Sequence, residues 1–137
     1  MTDTILRKSI YLKAKPAHVW SYLTDPAKLA LWFHTPKTHL VEGPYEMFGT
    51  ESGDKLMWGT VLVAEPFSRL EYTFTIAPMG DETSTVKWSL EDVHGGTNLS
   101  LSHEGLPQGQ DAFGLTLALD KGWDDHLGRM RASAHND

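Results

Sequence analysis

Seven histidines are the side chains of this sequence best placed to do chemistry near neutral pH: His18, His34, His39, His94, His103, His126 and His135. None of them belongs to an H-E-x-x-H or comparable helical ligand pair. His34 and His39 lie five apart in a stretch that reads as a loop, with no acidic residue between them, so we expect no metal site. The absence of cysteine excludes disulfides, thiolate catalysis and Cys-based metal or iron–sulfur sites. No nucleophile elbow, P-loop or G-x-G-x-x-G is present either. His103 is the histidine of most interest. On an alternating strand it shares a face with Leu99 and Leu101, and His126 stands one step before the apolar Leu127. If a helix carrying His126 crosses that strand, the two rings could meet, and a buried pair could bind a polar ligand group or shuttle a proton. The plainer reading, which we prefer, has His103 bonded to a backbone carbonyl near the Gly105-Leu106-Pro107 turn. Among the carboxylates, Glu71, Glu91, Asp124 and Asp125 fall on faces expected to be wet, and the inward face of the strands carrying Glu46 and Glu51 is not assigned by the pattern. No acid and base with opposed environments can be read, so no catalytic residue and no cofactor is expected.

The aromatic residues carry more signal. Trp58, Tyr72, Phe74, Trp88 and Trp123 can converge, with Met47, Phe48 and Phe113 near the rim. Pockets for small molecules are mostly apolar with a few polar groups, and this set fits that description, as it fits an ordinary core. The candidate ligand-binding residues are Trp58, Tyr72, Phe74, Trp88, His103, Phe113, Leu119 and Trp123. Trp20, Trp32 and Phe33 read as core packing.

The elements that would position these residues follow from periodicity. From about Gln110 to Ala134, Leu115, Leu119, Trp123, Leu127 and Met130 recur at helical steps, with Ala112 and Ala134 at either end. Lys121–Asp125 and Asp125–Arg129 are four apart and can pair weakly. Gly114 and Gly122 each cost such a helix roughly 1 kcal/mol relative to Ala, and Gly122 beside Trp123 suggests close approach to a sheet. Upstream, Ile5 to Ala14 reads as a strand stopped at Pro16. Val19, Trp20 and Leu23 then mark a short helix, and Leu29, Trp32 and Phe33 a second one opened by Pro26. His34 to His39 reads as a loop, with a short strand through Thr38 to Glu42. Further strands span Tyr45 to Glu51, Lys55 to Ala64, Ser68 to Ile76, Thr83 to Asp92 and Thr97 to Glu104, each bounded by turn residues. Leu70, Tyr72, Phe74 and Ile76 alternate with Arg69, Glu71, Thr73 and Thr75, the pattern of an antiparallel sheet covered on one side.

The 137 residues suit one domain, 1–137, with one core. A net charge of −6 without a basic run argues against nucleic acid and against an anionic membrane surface as partners. Nothing is apolar for long enough to be a signal peptide or a membrane span, so a soluble cytoplasmic protein is expected, as a monomer or homodimer.

Pro16-Ala-His-Val-Trp-Ser-Tyr-Leu-Thr-Asp-Pro26, followed by Leu29 and Trp32-Phe33, resembles the opening of the START-like superfamily (SRPBCC, helix-grip fold). More closely it resembles the branch named after homologues of the activator of the 90-kDa heat-shock-protein ATPase (AHSA-like). Gly59 to Pro66 with Arg69 to Phe74 is similar to the central hairpin of that branch, and Thr97 to Gly105, Gly122-Trp123 and Leu127 to its last strand and final helix. The resemblance implies an α+β helix-grip fold: a curved antiparallel sheet of six to seven strands wrapped around a long C-terminal helix, with two short helices after the first strand. The fold hosts ligand carriers, polyketide cyclases and chaperone activators. The expectation we carry forward is a protein, without catalytic activity, that binds a hydrophobic or aromatic small molecule between sheet and C-terminal helix. A chaperone-stimulating interaction module comes second, because 137 residues leave no room for the separate N-terminal domain of the co-chaperone. A cyclase- or hydrolase-type enzyme using the same cavity comes third.

Overall fold

Alternating apolar and polar residues build seven strands in the computed structural model, which describes residues 5–109 and 112–136. The strands are β1 Leu6–Leu12, β2 Thr35–Pro36, β3 Gly43–Phe48, β4 Lys55–Glu65, β5 Arg69–Ile76, β6 Ser84–Val93 and β7 Gly96–Glu104. They form one antiparallel sheet in the order β1-β7-β6-β5-β4-β3-β2. Two short helices, α1 Pro16–Thr24 and α2 Pro26–Trp32, follow the first strand, and the long helix α3 Phe113–Asn136 ends the chain. Each short helix opens on a proline, whose missing N–H costs nothing at a first helical position. The Asp25 carboxylate accepts the Ala27 N–H at 3.0 Å and so caps α2. No helix among the described residues is long and apolar enough to cross a membrane.

One face of the sheet holds the core. Leu6 and Leu12 of β1, Leu99 and Leu101 of β7, Val86 and Trp88 of β6, Leu70, Tyr72 and Phe74 of β5, Met57 and Val61 of β4, and Met47 of β3 are buried on it. The stripe of α3 meets this face through Trp123, Leu127, Met130 and Ala134, all buried. Each such side chain gains roughly 1.5–3 kcal/mol on leaving water. The helix runs against β1 and α2. Lys8 of β1 reaches Asp120 at 2.6 Å and Asp124 at 3.0 Å, and the Lys13 N–H donates to His135 Nε2 at 2.9 Å. These contacts hold the helix along the β1 edge.

The structure departs from the sequence reading in several places, and the strand read as Tyr45 to Glu51 ends at Phe48. Thr35–Pro36 is a strand, whereas Thr38 to Glu42 is not. Pro36 has no ladder donor and tolerates only an edge position, while the Leu40 N–H donates to the Thr24 carbonyl at 3.0 Å and pins the segment to α1 instead of to a strand. The terminal helix begins at Phe113, and Gln110, expected to open it, lies outside the described residues. Gly122 is not at a close approach: a Cβ there would meet no atom within 4 Å, and the same holds for Gly128. Gly122→Ala should therefore stabilise the fold by roughly 0.5–1 kcal/mol through helix propensity alone, read as a raised urea midpoint. Unchanged or lowered stability would mean the helix needs that space.

The close approaches lie elsewhere. A Cβ on Gly59 of β4 would collide with the carbonyl and hydroxyl of Thr73, and one on Gly96 with the Leu12 carbonyl. At the β4–β5 turn, Phe67 adopts the left-handed backbone region (φ 68°), rarely occupied by a bulky residue, and its ring lies edge-on to Trp20 at 6.5 Å.

Candidate functional site

The concave face and the space beneath α3 are filled by rings. Trp123 sits at the centre, stacked on Phe33 at 5.4 Å, edge-on to Trp88 at 5.6 Å and 6.3 Å from Phe74. Trp88 donates its indole N–H to the Tyr72 hydroxyl at 3.0 Å. His103 is fully buried within this set. The indole N–H of Trp123 donates to His103 Nδ1 at 3.0 Å. An indole can only donate, so Nδ1 holds a lone pair and the ring proton sits on Nε2. From there it is shared with Ser84 Oγ at 2.7 Å, and the Ser84 hydroxyl passes its own proton to the Phe74 carbonyl at 2.9 Å. Every donor in this chain finds an acceptor. Burial pushes the His103 imidazole down to about 4, which keeps it neutral. Both ring nitrogens are engaged by protein groups, so this arrangement fixes α3 on the sheet and leaves no nitrogen open to a substrate. The expected carbonyl partner near Gly105 is replaced by Ser84 and Trp123, because the helix crosses directly above His103.

His126 does not pair with His103; the two rings flank Trp123 at 6.1 and 5.9 Å. Its neighbour is His34, 5.5 Å away and edge-on. His126 Nδ1 lies 2.9 Å from the Trp32 carbonyl and 2.7 Å from Arg129 Nη2. The carbonyl calls for a proton there and the guanidinium for a lone pair, so Nδ1 serves one at a time. Burial, followed by the positive potential of His126 and Arg129, pushes His34 down to about 4. Burial likewise lowers His126, against the pull of the Trp32 carbonyl. Arg129 thus turns to His126, while Lys121 pairs with Asp125 at 2.9 Å. Among the described residues no three His, Asp or Glu side chains gather closely enough to hold a metal ion.

A cleft of about 620 Å³ lies at the other end of the sheet, between the 37–41 segment and strands β3 to β5. Phe48 and Trp58 form apolar walls with Val41 and Pro44, and Thr60, Thr73, Thr75 and Thr83 line the polar side. Trp58 points away from the core: it faces Thr75 across the ladder, whereas Met57 is buried. Lys55 Nζ lies 5.0 Å over the Trp58 ring and Lys37 Nζ 5.1 Å over Phe48. Tyr45 closes the inner side, its hydroxyl donating to the Thr73 carbonyl at 2.6 Å across the side-chain-free Gly59.

The sequence matches the model of the family described as activator of Hsp90 ATPase homolog 1-like protein over residues 13–134. The chain belongs to that family. No curated protein matches it. Among solved structures, DynU16, a protein in the dynemicin biosynthetic locus, superposes on 96% of the chain with a TM-score of 0.81 and 25% identity. The chain spans just under half (47%) of DynU16. CalU16 from Micromonospora echinospora gives a TM-score of 0.70 at 27% identity, covering 92% of this chain and 71% of that one. A protein from Chromobacterium violaceum, 24% identical and covered over its full length (100%), shares the fold with a TM-score of 0.76. The architecture is therefore the α+β helix-grip fold of START-like proteins, with a curved seven-stranded sheet.

Of the eight residues singled out from the sequence of this family member, Tyr72, Phe74, Trp88 and Trp123 come together in the core, with His103 buried among them. Leu119 is half-buried against them. Phe113 is 61% exposed at the start of α3 and stands apart from the cluster. Trp58 lies on the opposite side of β4, in the cleft. Met47, expected at the rim, is fully buried, while Phe48 does line the cleft. Lys37, Val41 and the threonines of the lining were not anticipated. The clean alternation of Thr73 and Thr75 with Tyr72 and Phe74 was the available signal for a hydroxyl-lined outer face.

Proposed function

We propose that this protein binds a small hydrophobic or aromatic molecule, without a catalytic step of its own, and that the cleft beside Phe48 and Trp58 is where the molecule sits. The observation that carries this reading is the cleft itself. Its volume of about 620 Å³ falls within the ~300–1,000 Å³ usual for small-molecule sites, and aromatic walls face hydroxyls across it. The likeness to DynU16, from a biosynthetic locus, agrees with a small organic ligand. In this reading Trp58 touches the ligand, while Tyr72, Phe74, Trp88, His103, Leu119 and Trp123 hold the sheet that presents it. A thermal-shift and native-mass screen with hydrophobic and aromatic metabolites tests it. Binders are expected, and Trp58→Ala should weaken them roughly five- to tenfold by removing a stacking face. A screen without a binder, or binders indifferent to Trp58→Ala, would remove the proposal.

Family membership favours a second reading, a protein-interaction module acting on a 90-kDa chaperone. Pull-down of that chaperone and stimulation of its ATPase would support it; neither effect at high protein concentration would dismiss it.

A further inference from the structure

We infer that the cleft selects organic anions: an apolar, aromatic body between Phe48 and Trp58, with a carboxylate or sulfonate placed at Lys37. This rests on the reading of the cleft as a ligand site and adds the charge of what enters it. Proton donors outnumber free acceptors in and around the cleft. Lys55 and Glu46 neutralise one another at 3.4 Å, so neither sign of that pair is left over. His39 reaches towards Asp25, 3.8 Å away and outside the cleft lining. Lys37 is exposed and held over the Phe48 ring, and no carboxylate among the described residues forms an ion pair with it.

The hydroxyls lean the same way. Thr73 Oγ accepts the Thr60 N–H at 2.8 Å, which leaves the Thr73 hydroxyl proton to give. Thr75 shares its one hydroxyl proton between the Glu82 carbonyl at 3.2 Å and Thr83 Oγ at 3.3 Å, which leaves the Thr83 proton to give. The Thr60 hydroxyl also lines the cleft. Lys37 and three hydroxyls thus offer protons, and the carboxylate of Glu46 is already engaged. A ligand entering this space satisfies it best by bringing acceptors and negative charge on a flat apolar frame, which the two cation-capped rings accommodate.

Two fluorescent probes with one carbon frame separate charge from shape: anionic 1-anilinonaphthalene-8-sulfonate and neutral N-phenyl-1-naphthylamine. With the folded full chain at low salt, the sulfonate should bind roughly three- to tenfold more tightly, and 0.5 M NaCl should erase most of the difference. Lys37→Gln should bring the sulfonate down to the affinity of the neutral probe. Lys121→Gln, on the far helix, should change neither. Equal affinities in the wild type, or a preference that survives Lys37→Gln, overturns the inference while leaving the cleft a ligand site. If neither probe binds, or Trp58→Ala alters neither affinity, the cleft reading itself falls and takes this inference with it.

Discussion

Trp123→Ala should cost roughly 3–5 kcal/mol of stability and lower the melting temperature on the order of 15 °C. The ring is 2% exposed and packs on Phe33 at the end of α2, Trp88 of β6 and Phe74 of β5. Its loss leaves a cavity that neighbouring rings, themselves held in ladders and hydrogen bonds, fill poorly. It also strips His103 Nδ1 of its donor in a site without water access. Trp123→Phe separates the two effects, since it keeps most of the packing and removes the N–H, and should cost about 1–2 kcal/mol. Urea unfolding of the three proteins measures both. If Trp123→Ala melts within a degree or two of wild type, α3 is not seated on the sheet as described.

Acid should loosen the fold well above the pH at which carboxylates titrate. The unfolded chain binds a proton at each imidazole near pH 6.5, whereas folded His103 resists until about 4. Between those values the unfolded state holds more protons, so stability falls as pH falls. The contribution of His103 is fully present above pH 6.5, has declined by about 2 kcal/mol at pH 5, and is spent below about 4, after a total near 3 kcal/mol. His34, also pushed down to about 4, and His126 act in the same direction. The urea midpoint should therefore drop steadily from pH 7 to pH 4.5, and the His103 ring resonances should stay in their neutral form at pH 5. A flat midpoint across that range, or a His103 signal titrating near 6.5, would contradict the buried neutral chain from Trp123 to Phe74.

How far the sequence could be read follows from the range of the forces involved. Leu70, Tyr72 and Phe74 face inward and Arg69, Glu71 and Thr73 outward because a strand alternates with period two whatever it packs against. The α3 stripe from Leu119 to Met130 was visible for the same reason, with period 3.6. Trp58 was misplaced because both parities of β4 carry apolar residues, Met57 and Val61 on one and Leu56, Trp58 and Leu62 on the other. Pairing of Trp58 with Thr75 decides between them, and pairing is a long-range choice.

By itself, the sequence determined the order of strands and helices, the inward residues of β5, β7 and α3, and the lack of thiol chemistry, since each is written in local periodicity or in composition, while the helix-grip architecture followed from the family resemblance of its motifs. Tertiary structure alone decided that His103 answers to Trp123 and Ser84 rather than to a neighbouring turn, and that His126 answers to His34, Trp32 and Arg129. It also decided that Phe48, Trp58, Lys37 and the threonines of three strand regions share one cleft. These groups are separated by many residues, and only the angle at which a helix crosses a strand, or the path of a connecting segment, sets whether they meet. That angle and that path are fixed by the summed packing of the whole core, which no local window of sequence contains.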